Sequence, residues 1–522
     1  MLDKEYLINC FIKNYQDNQN VFEYVNKDLT TKLFNNSKIL TQFELYKSVL
    51  SKYKSRICII YHDVDEDFIG FVFAAFYCSV KILIRRTSVI SDCQFYNDLN
   101  IIGNCVPFDL IFTNFIEKCK FQMINNQLFF VKKLNDKSLS NYREFDFIQI
   151  SSGTTSESKA FCLTLEGLIK SAEHIKKIQH VNHNSILFSY LTFSHIYGFV
   201  SGFILPIITG SRCIYSNTVQ IKENSEFLFD CITKFRITHV SLIINTIERA
   251  LEKGKTDWDL TSLECASLGG EKVEYEIFLR LQEKMSKYGM NRKVLVNSYG
   301  MSEKGSITME NPYIGNYLLY KDNVGFVSVG DCKYEDITSI IINENLKVLD
   351  DNMKGRILFN SCYISKMFFC NRQLQPITFY QINGKNYYSN GDYGFISNGK
   401  LFVTGRIVNT ITFNGLKING EILNEFIRKK LENNKISISK VYCFNYTPIN
   451  NHVVCFINSE FPIDNKILTI ISEKVKFKFH IDLADYLIEK YESHGLEKIS
   501  LPNLFNMYLK KINDLKNKLS NE

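Results

Sequence analysis

The sequence predicts an α/β protein whose large N-terminal part contains two mostly parallel sheets flanked by helices. Over the first 400 residues, strand-like apolar runs alternate with helix-like segments, and such alternation is typical of parallel sheets covered by helices on both faces. Short strands separated by turns follow from about 325 to 404, and a smaller segment of mixed α and β character begins near 410. With 522 residues the chain is too long for one compact core, so we expect more than one domain.

Hydrophobic patterns define the individual elements. Residues 56–62 form a short apolar run typical of a buried strand, and residues 66–80 remain apolar over a length that favours a helix. A long amphipathic helix is predicted over 273–287. The turn-rich strands of 325–404 predict an antiparallel or barrel-like subdomain. Further strand-like runs lie at 185–191, 238–244, 263–270 and 293–300.

Composition and charge exclude several classes of protein. The net charge of +7 comes from 62 basic and 55 acidic residues spread along the chain, which is too diffuse to indicate nucleic acid binding. No window approaches the roughly 18 apolar residues of a transmembrane helix, and the N-terminus does not resemble a secretory signal. The 15 cysteines include no Cys-x-x-Cys pair, and many lie in apolar runs, so we expect reduced thiols in a cytoplasmic protein.

The most informative segment is IQISSGTTSESKAF, residues 148–161. An apolar strand-like run opens there into six hydroxyl residues around one glycine, and the segment closes on a lysine. Hydroxyl donors, a glycine that permits a tight turn and one cation are suited to binding a polyphosphate. The alternative is an ordinary Ser/Thr-rich surface turn. The candidate phosphate-binding residues are Ser151, Ser152, Gly153, Thr154, Thr155 and Lys159.

Two later strand ends carry candidate nucleotide-binding residues. In NSYGMSEKGS (297–306), an aromatic ring and a glycine follow a strand, and Glu303 comes shortly after them. The ring could stack on a base, and the carboxylate could hold Mg²⁺ beside phosphates. In SLGGEK (267–272), the paired glycines allow close approach of the backbone to a flat ligand. Either segment alone is also compatible with a simple turn.

Two further segments have a candidate carboxylate and a candidate guanidinium. Asp392 lies within YYSNGDYGFI (387–396), where a short carboxylate on a rigid turn could accept hydrogen bonds from a ribose diol. Asn-Gly-Asp between aromatic strands is also a common hairpin turn. Arg406 lies in VTGRIVNTITFNG and could pair with a phosphate or ribose oxygen.

Taken in order, these segments resemble the adenylate-forming superfamily, which includes acyl-CoA synthetases, fatty acyl-AMP ligases, adenylation domains of peptide synthetases and luciferases. SSGTTSESKA resembles the phosphate loop (T/S)SGTTG-x-PKG, and YGMSE resembles the motif Y-G-x-(T/S)-E. NGD resembles T-G-D, and GRIVNTITFNG resembles the G-R-x-x-(D/N) stretch. The resemblance extends from about residue 40 to 510 and implies an N-terminal AMP-binding domain over 1–408, with a mobile α+β C-terminal domain over 409–522. Asn409 then falls at the hinge.

The resemblance implies a two-step reaction. A carboxylic acid attacks ATP·Mg²⁺ to give an acyl-adenylate and pyrophosphate, and a thiol of coenzyme A or of a carrier-protein phosphopantetheine then takes the acyl group. The implied contacts are Ser151 to Lys159 with the phosphates, Gly270, Glu271, Tyr299 and Gly300 with adenine, Ser302 and Glu303 with the α-phosphate and Mg²⁺, and Asp392 and Arg406 with ribose.

The segment FSHIYGF (193–199) bears on the acid substrate. It resembles the stretch P-x-x-H-x-x-G of the family, and this resemblance implies that His195 lies beside the carboxylate of the substrate. The alternative is that His195 is a core histidine at the start of a helix. Members that activate amino acids have an aspartate near here for the α-amine, whereas no acidic residue lies between 182 and 222. We therefore expect a fatty or aryl acid, and the segments YGMNRKVLVNSYGMSE and GFVSVGD resemble fatty acyl-AMP ligases in particular.

Two departures from the family pattern concern catalysis. Ser156, Ser158 and Ala160 replace the second glycine, the proline and the last glycine of the phosphate loop. Near the C-terminus, Tyr508 stands where the family has a lysine that reaches the reacting carboxylate, and Lys510 could replace it only if the segment shifts register. Losing such a cation costs on the order of 10²–10³ in rate. The alternatives are therefore a catalytically degenerate adenylate-binding partner in a biosynthetic assembly, or an amino-acid adenylation enzyme.

Overall fold

The computed structural model describes most of the chain. The described residues are 5–17, 21–85, 92–113, 122–123, 128–130, 144–151, 159–313, 319–320, 325–406, 410–413, 416–436, 438, 440–445, 453–459, 461–479, 481–489, 504 and 507–513. Within them, no helix has the length and apolar character needed to cross a membrane.

The helices lie mainly in the first 290 residues. In chain order they are α1 (Tyr6–Gln16), α2 (Asn36–Leu50), α3 (Glu66–Tyr77), α4 (Asp92–Cys105), α5 (Leu165–Gln179), α6 (Ile196–Phe199), α7 (Leu205–Thr209), α8 (Thr218–Glu223), α9 (Phe227–Phe235), α10 (Ile244–Lys253), α11 (Tyr275–Ser286), α12 (Gly420–Asn433) and α13 (Asn465–Phe479). Short 3₁₀ segments cover Ser51–Tyr53 and Arg292–Val294, and a π-helical turn covers Val200–Ile204.

The strands form three groups along the chain. The first group is β1 (Phe22–Val25), β2 (Thr31–Leu33), β3 (Ile57–Tyr61), β4 (Lys81–Ile84), β5 (Leu110–Thr113), β6 (Gln122–Met123), β7 (Leu128–Phe130), β8 (Phe147–Ile150), β9 (Ala160–Leu163), β10 (Ile186–Ser189), β11 (Arg212–Tyr215), β12 (His239–Leu242), β13 (Cys265–Leu268), β14 (Leu295–Met301) and β15 (Gly305–Met309). The second is β16 (Leu319–Tyr320), β17 (Phe326–Val327), β18 (Lys333–Tyr334), β19 (Ile337–Ile342), β20 (Gly355–Asn360), β21 (Met367–Cys370), β22 (Gln373–Pro376), β23 (Tyr380–Ile382), β24 (Lys385–Tyr387), β25 (Asp392–Ser397) and β26 (Lys400–Arg406). The third is β27 (Thr410–Phe413), β28 (Leu416–Asn419), β29 (Lys440–Asn445), β30 (Val453–Asn458) and β31 (Leu483–Glu489).

Two large sheets confirm the predicted α/β architecture. One has the strand order β22-β21-β9-β8-β4-β3-β5-β7-β6, and the other has the order β15-β14-β13-β12-β10-β11-β1-β2. The central strands of both pair in parallel, whereas strands toward the edges pair antiparallel. Every residue of β3 is buried, as its unbroken apolar sequence predicts for a strand covered on both faces.

Local sequence explains where key helices begin. The predicted helix at 66–80 is α3, whose N-cap Asp65 accepts a hydrogen bond from the backbone N–H of Phe68 at 2.9 Å. Helix α5 begins after Thr164, whose hydroxyl accepts from the N–H of Gly167 at 3.0 Å. Helix α5 packs against the π-helical turn and β15, so it covers the second sheet beside Tyr299 in β14 and the turn that carries Glu303.

The smaller units lie toward the C-terminus. The predicted β-rich subdomain contains an antiparallel five-stranded sheet of order β18-β19-β20-β25-β26. A three-stranded sheet, β29-β30-β31, with one antiparallel and one parallel pairing, packs with α12 and α13 around its own apolar core. The predicted boundary at 408/409 stays a prediction, because residues 407–409 lie outside the described residues.

Candidate active site

The β14–β15 hairpin positions Tyr299 and Glu303 at one end of the second sheet. Gly300 and Gly305 lie on the two sides of its turn, and a Cβ on Gly300 would lie 2.7 Å from the carbonyl oxygen of Gly305. Gly305 has φ +98°, and a Cβ there would lie 2.8 Å from the hydroxyl of Ser171. Only glycine fits this turn, which carries Ser302 and Glu303 at its tip.

Asp392 forms the centre of a polar cluster. It begins β25 opposite Arg406, whose Nε donates to Oδ1 at 3.1 Å. The Tyr299 hydroxyl donates to Oδ2, and the Asn390 amide donates to the same oxygen and to the Tyr299 oxygen, each at 2.7 Å. The structure therefore brings together three residues that the sequence predicted separately, namely Tyr299, Asp392 and Arg406.

Glu303 is buried beside this cluster. Its Oε1 accepts a hydrogen bond from the Tyr388 hydroxyl at 2.7 Å. Burial raises the pKa of Glu303, whereas the hydrogen bond from Tyr388 and the charge of Arg406 act to lower it. Tyr388 pairs through its backbone with Phe359, whose ring stacks on Tyr299 at a centroid distance of 5.6 Å. We call Tyr299, Glu303, Tyr388, Asn390, Asp392 and Arg406 the Asp392 cluster.

The ends of the predicted phosphate loop meet between β8 and β9. The backbone N–H of Ser151 donates to the carbonyl of Lys159 at 2.8 Å, so the loop leaves and re-enters the sheet at one point. Lys159 is exposed, and its ammonium lies 5.1 Å from the Phe368 ring centroid. The loop residues Ser152, Gly153, Thr154 and Thr155 lie outside the described residues, so their predicted role is not addressed by the structure.

His195, Gly270 and Glu271 lie on turns at the ends of strands. His195 is the half-buried N-cap residue of α6, and the side chain of Gln149 in β8 donates to the neighbouring Ser194 carbonyl at 3.0 Å. The His195 turn therefore contacts the strand that leads into the phosphate loop. Gly270 and Glu271 are exposed after β13, and Gly270 has φ +83°, a conformation that favours glycine.

The C-terminal segment does not present Tyr508 at this site. Residues 507–513 are helical, and Tyr508 is 3% exposed, packing edge-on against Phe444 at 6.4 Å. Lys510 is exposed on this helix, and Lys511 bonds to Asp485 at 3.0 Å. Among the described residues, neither lysine is hydrogen-bonded to the Asp392 cluster. The predicted hinge residue Asn409 lies outside the described residues.

Sequence reasoning missed three polar residues around the site. Tyr388 and Asn390 precede Asp392 by four and two residues, but only the folded hairpin turns both toward Tyr299 and Glu303. Lys304 is 1% exposed, and burial lowers its pKa to about 8. Its ammonium donates to the Ser306 carbonyl at 2.8 Å. The sequence did offer one signal for Asn390, since an asparagine stands in its NGD segment where the family has a threonine.

Comparisons with known proteins bear on the family resemblance and on the fold. Residues 125–369 match the family described as AMP-binding enzyme. These residues are just under half of the chain, and the chain shares its fold with solved fatty acyl-adenylate ligases and adenylation domains. The large N-terminal part and the smaller C-terminal part both follow that fold.

Several curated relatives are ligases. The medium-chain-fatty-acid–[acyl-carrier-protein] ligase TtuA of Teredinibacter turnerae is 23% identical over 391 residues, which are 68% of this chain and 58% of that protein. The D-alanine–D-alanyl carrier protein ligase of Bacillus licheniformis is 22% identical over 273 residues, which are 52% of each protein. The chain thus matches about half the length of these relatives.

Solved structures share the whole fold. The fatty acyl-adenylate ligases from E. coli and L. pneumophila include a chain with TM-score 0.74 and 14% identity, and the similarity covers 97% of this chain and 98% of that one. O-succinylbenzoate coenzyme A synthetase from Bacillus subtilis, in complex with AMP, gives TM-score 0.70 and 17% identity, with 95% and 97% coverage. These similarities establish the architecture.

Proposed function

We propose that this protein is an ATP-dependent carboxylic acid ligase that forms an acyl-adenylate and passes the acyl group to a thiol. The observation that carries the proposal is the Asp392 cluster, in which a tyrosine, an aspartate and an arginine from distant segments meet beside a buried glutamate. A protein that served only as a scaffold has no physical need to bring these polar groups together around a buried carboxylate.

The cluster can hold a nucleoside through its own residues. Asp392 accepts from three donors, and a ribose diol can replace the Tyr299 and Asn390 donors on Oδ2 while Arg406 stays on Oδ1. Phe359 holds the Tyr299 ring by stacking, so that ring is oriented before ligand binds. Exposed Gly270 and Gly300 allow a flat base to approach the backbone.

Glu303 fits a Mg²⁺ ligand that acts together with substrate phosphates. Among the described residues, no group of three or more His, Cys, Asp or Glu could hold a metal by itself. Mg²⁺ is usually bound through one or two carboxylates plus phosphates, and Glu303 supplies one carboxylate oriented by Tyr388. The bound ion would neutralise phosphate charge as the adenylate forms.

The acceptor we favour is the phosphopantetheine thiol of a carrier protein, with coenzyme A as the alternative. Several relatives are ligases of an acyl-carrier or D-alanyl carrier protein. The carboxylic acid substrate that we favour is a fatty or aryl acid. No acidic residue lies between 182 and 222 to pair with the α-amine of an amino acid. Thirteen cysteines of the described residues are not joined in disulfides, which supports the reducing, cytoplasmic location that we expect.

Tyr508 favours a second candidate function. Tyr508 stands where the family resemblance implies a lysine, and its side chain is buried in the C-terminal core. A protein that retains the nucleotide cluster without this lysine could bind an acyl-adenylate as a non-catalytic partner in a biosynthetic assembly. The two functions differ in whether any carboxylic acid drives pyrophosphate release.

The test is ATP–pyrophosphate exchange across a panel of fatty, aryl and amino acids. We expect weak exchange that depends on the acid and is lost in Lys159→Ala, with Lys234→Ala as a control at a lysine remote in sequence. Purified carrier protein and coenzyme A would then be compared as acceptors. Absence of exchange with every acid, together with tight binding of an acyl-adenylate analogue, would favour the partner function.

A further inference from the structure

The turn that carries Glu303 is attached to the first large sheet through Ser365. Ser365 lies just before β21, and its backbone N–H donates to the Glu303 carbonyl at 2.8 Å. Its hydroxyl lies 2.7 Å from the carbonyl oxygens of Cys162 and Met367, which are paired across β9 and β21, so it can donate to either one. Ser365 is 4% exposed. One buried residue therefore joins a turn of the second sheet to two strands of the first.

These two strands also carry the lysine of the predicted phosphate loop and the ring beside it. Lys159 immediately precedes β9, and its ammonium lies 5.1 Å from the ring centroid of Phe368 in β21. Cys162, which the Ser365 hydroxyl contacts, lies on β9 shortly after Lys159. Ser365 therefore lies between the proposed Mg²⁺ ligand Glu303 and the proposed phosphate-binding lysine.

The other contacts of this turn support the hairpin but leave its distance from β9 to Ser365. Ile364 is 3% exposed and packs in one apolar cluster with Met301 and Ile307 of the β14–β15 hairpin. Apolar packing of this kind is non-directional. The hydrogen bonds of Ser365 are directional and close to the ideal length, so they define where the Glu303 turn lies relative to β9.

We propose that Ser365 is a positioning residue that fixes the separation between the Glu303 carboxylate and Lys159, so that both reach the phosphates of one bound ATP·Mg²⁺. This inference rests on the proposed ligase function and adds a residue to its site. Mg²⁺ demands near-octahedral geometry, so a carboxylate ligand that shares it with phosphates tolerates little displacement. A misplacement of about 1 Å by a residue remote from the chemistry can cost on the order of 10²-fold in rate.

The experiment measures ATP binding by calorimetry without any carboxylic acid, once with Mg²⁺ and once with a chelator. In Ser365→Ala, the Mg²⁺-dependent part of the ATP affinity should fall about 10-fold, because the turn loses its bond to β9. Binding of an acyl-sulfamoyl adenosine, which has no phosphate chain, should not change. Ser361→Ala is the matched control: its hydroxyl donates to Asp336 at 3.0 Å in the same segment, and this variant should bind ATP as the wild type does.

A readout specific to Glu303 comes from combining Ser365→Ala with Glu303→Gln. If Ser365 acts through Glu303, the losses of Mg²⁺-dependent affinity in the two single variants should not add in the double variant. General structural damage would add to the loss in Glu303→Gln and would also weaken binding of the acyl-sulfamoyl adenosine. If Ser365→Ala does not fold, Ser365→Cys takes its place, because a thiol nearly fills the same space but is a weak donor.

The outcomes separate this inference from the proposed function. An unchanged Mg²⁺ dependence in Ser365→Ala, or an equal loss for ATP·Mg²⁺ and for the acyl-sulfamoyl adenosine, overturns the role of Ser365 and leaves the ligase function standing. The expected loss of ATP·Mg²⁺ binding, in a protein that gives no exchange with any acid, overturns catalysis and supports the positioning role. A wild type that binds neither ATP·Mg²⁺ nor the acyl-sulfamoyl adenosine overturns both.

Discussion

The Asp392 cluster keeps the polar residues of the family pattern, whereas the surroundings of Tyr508 depart from that pattern. In the cluster, polar groups from β14, β25 and β26 are retained and bonded to one another. At Tyr508, a position expected to carry a cation is instead part of an apolar core with Phe444 and Leu504. The contrast has a physical reason: a buried polar group is costly without its partners, so the cluster is maintained as a unit, whereas a lysine on an exposed segment has no such partners.

The largest expected effect is that of Tyr508→Lys on stability. If the family pattern alone governed this position, the substitution would restore a catalytic cation and raise exchange by about 10²–10³. The structure predicts otherwise, because Tyr508 is 3% exposed and a lysine there would bury a charge and lose aromatic packing. We expect a loss of about 3–5 kcal/mol in the free energy of unfolding, measured by urea denaturation, with no gain in exchange.

Leu509→Lys is the matched control for that substitution. Leu509 is the next residue and is 42% exposed, so the same side chain should change the free energy of unfolding by less than about 0.5 kcal/mol. A stable Tyr508→Lys protein with at least 10-fold faster exchange would contradict the comparison, since it would mean that this segment rearranges during the reaction.

Asp392→Ala tests the other side of the comparison. The substitution removes the acceptor for a ribose diol and leaves Arg406 without its carboxylate partner. We expect binding of an acyl-adenylate analogue to weaken about 100-fold in calorimetry, because truncating one partner of a bonded charge pair costs 2–5 kcal/mol. Asp257→Ala, at an exposed carboxylate, should bind as the wild type does. Unchanged binding in Asp392→Ala would remove the main support for the proposed function.

Tyr388→Phe tests whether the cluster extends to Glu303. Burial raises the pKa of Glu303 and the Tyr388 hydrogen bond opposes that rise, so the variant should have a still higher pKa. The carboxylate is the form of Glu303 that binds Mg²⁺, so the acid limb of the exchange–pH profile should move to higher pH in the variant. At pH values below this limb, the variant should be about 10-fold less active than the wild type. In the wild type and in Tyr388→Phe, the free energy of unfolding should fall as the pH rises from the ordinary pKa of glutamate through the raised pKa of Glu303 in the folded protein.

Tyr387→Phe provides the control for that profile. Tyr387 is buried in the adjacent position, and its pKa is raised by burial, but its hydroxyl makes no bond to Glu303. Its pH profile should match that of the wild type. An acid limb that shifts equally in both variants would show that general packing of this hairpin, and not the Tyr388 hydroxyl, governs Glu303.

Much of the fold followed from the sequence because its signals are local. The apolar run at 56–62 is β3, and the helix expected at 273–287 is α11. The loop between Ser151 and Lys159 does begin and end at adjacent strands, as an apolar run opening into hydroxyl residues indicates. Periodicity and turn residues define each helix or strand over a few positions, and the order of these elements along the chain indicates the architecture.

The site could be predicted only in part because its contacts join distant residues. Tyr388 and Glu303 are 85 residues apart, and their meeting depends on the backbone pairing of Tyr388 with Phe359 in β20. The burial of Tyr508 depends on the helical conformation of 507–513, which turns that residue toward the C-terminal sheet. The roles assigned to Ser152–Thr155 and Asn409 remain predictions.

The smallest expected effect concerns two ion pairs between α12 and the start of α11. On α12, Arg428 pairs with Glu274 and Lys429 pairs with Glu276 at 2.8 Å, next to the start of α11. Glu276 is 63% exposed, so Lys429→Ala should change the free energy of unfolding by about 0–1 kcal/mol, and the change should vanish in high salt. Arg428 is 16% exposed and its Glu274 partner 23%, so Arg428→Ala should cost more and depend less on salt. If Arg428→Ala has the same cost in urea denaturation at low and at high salt, the contact between Arg428 and Glu274 is held by packing of the Arg428 side-chain stem and not by charge.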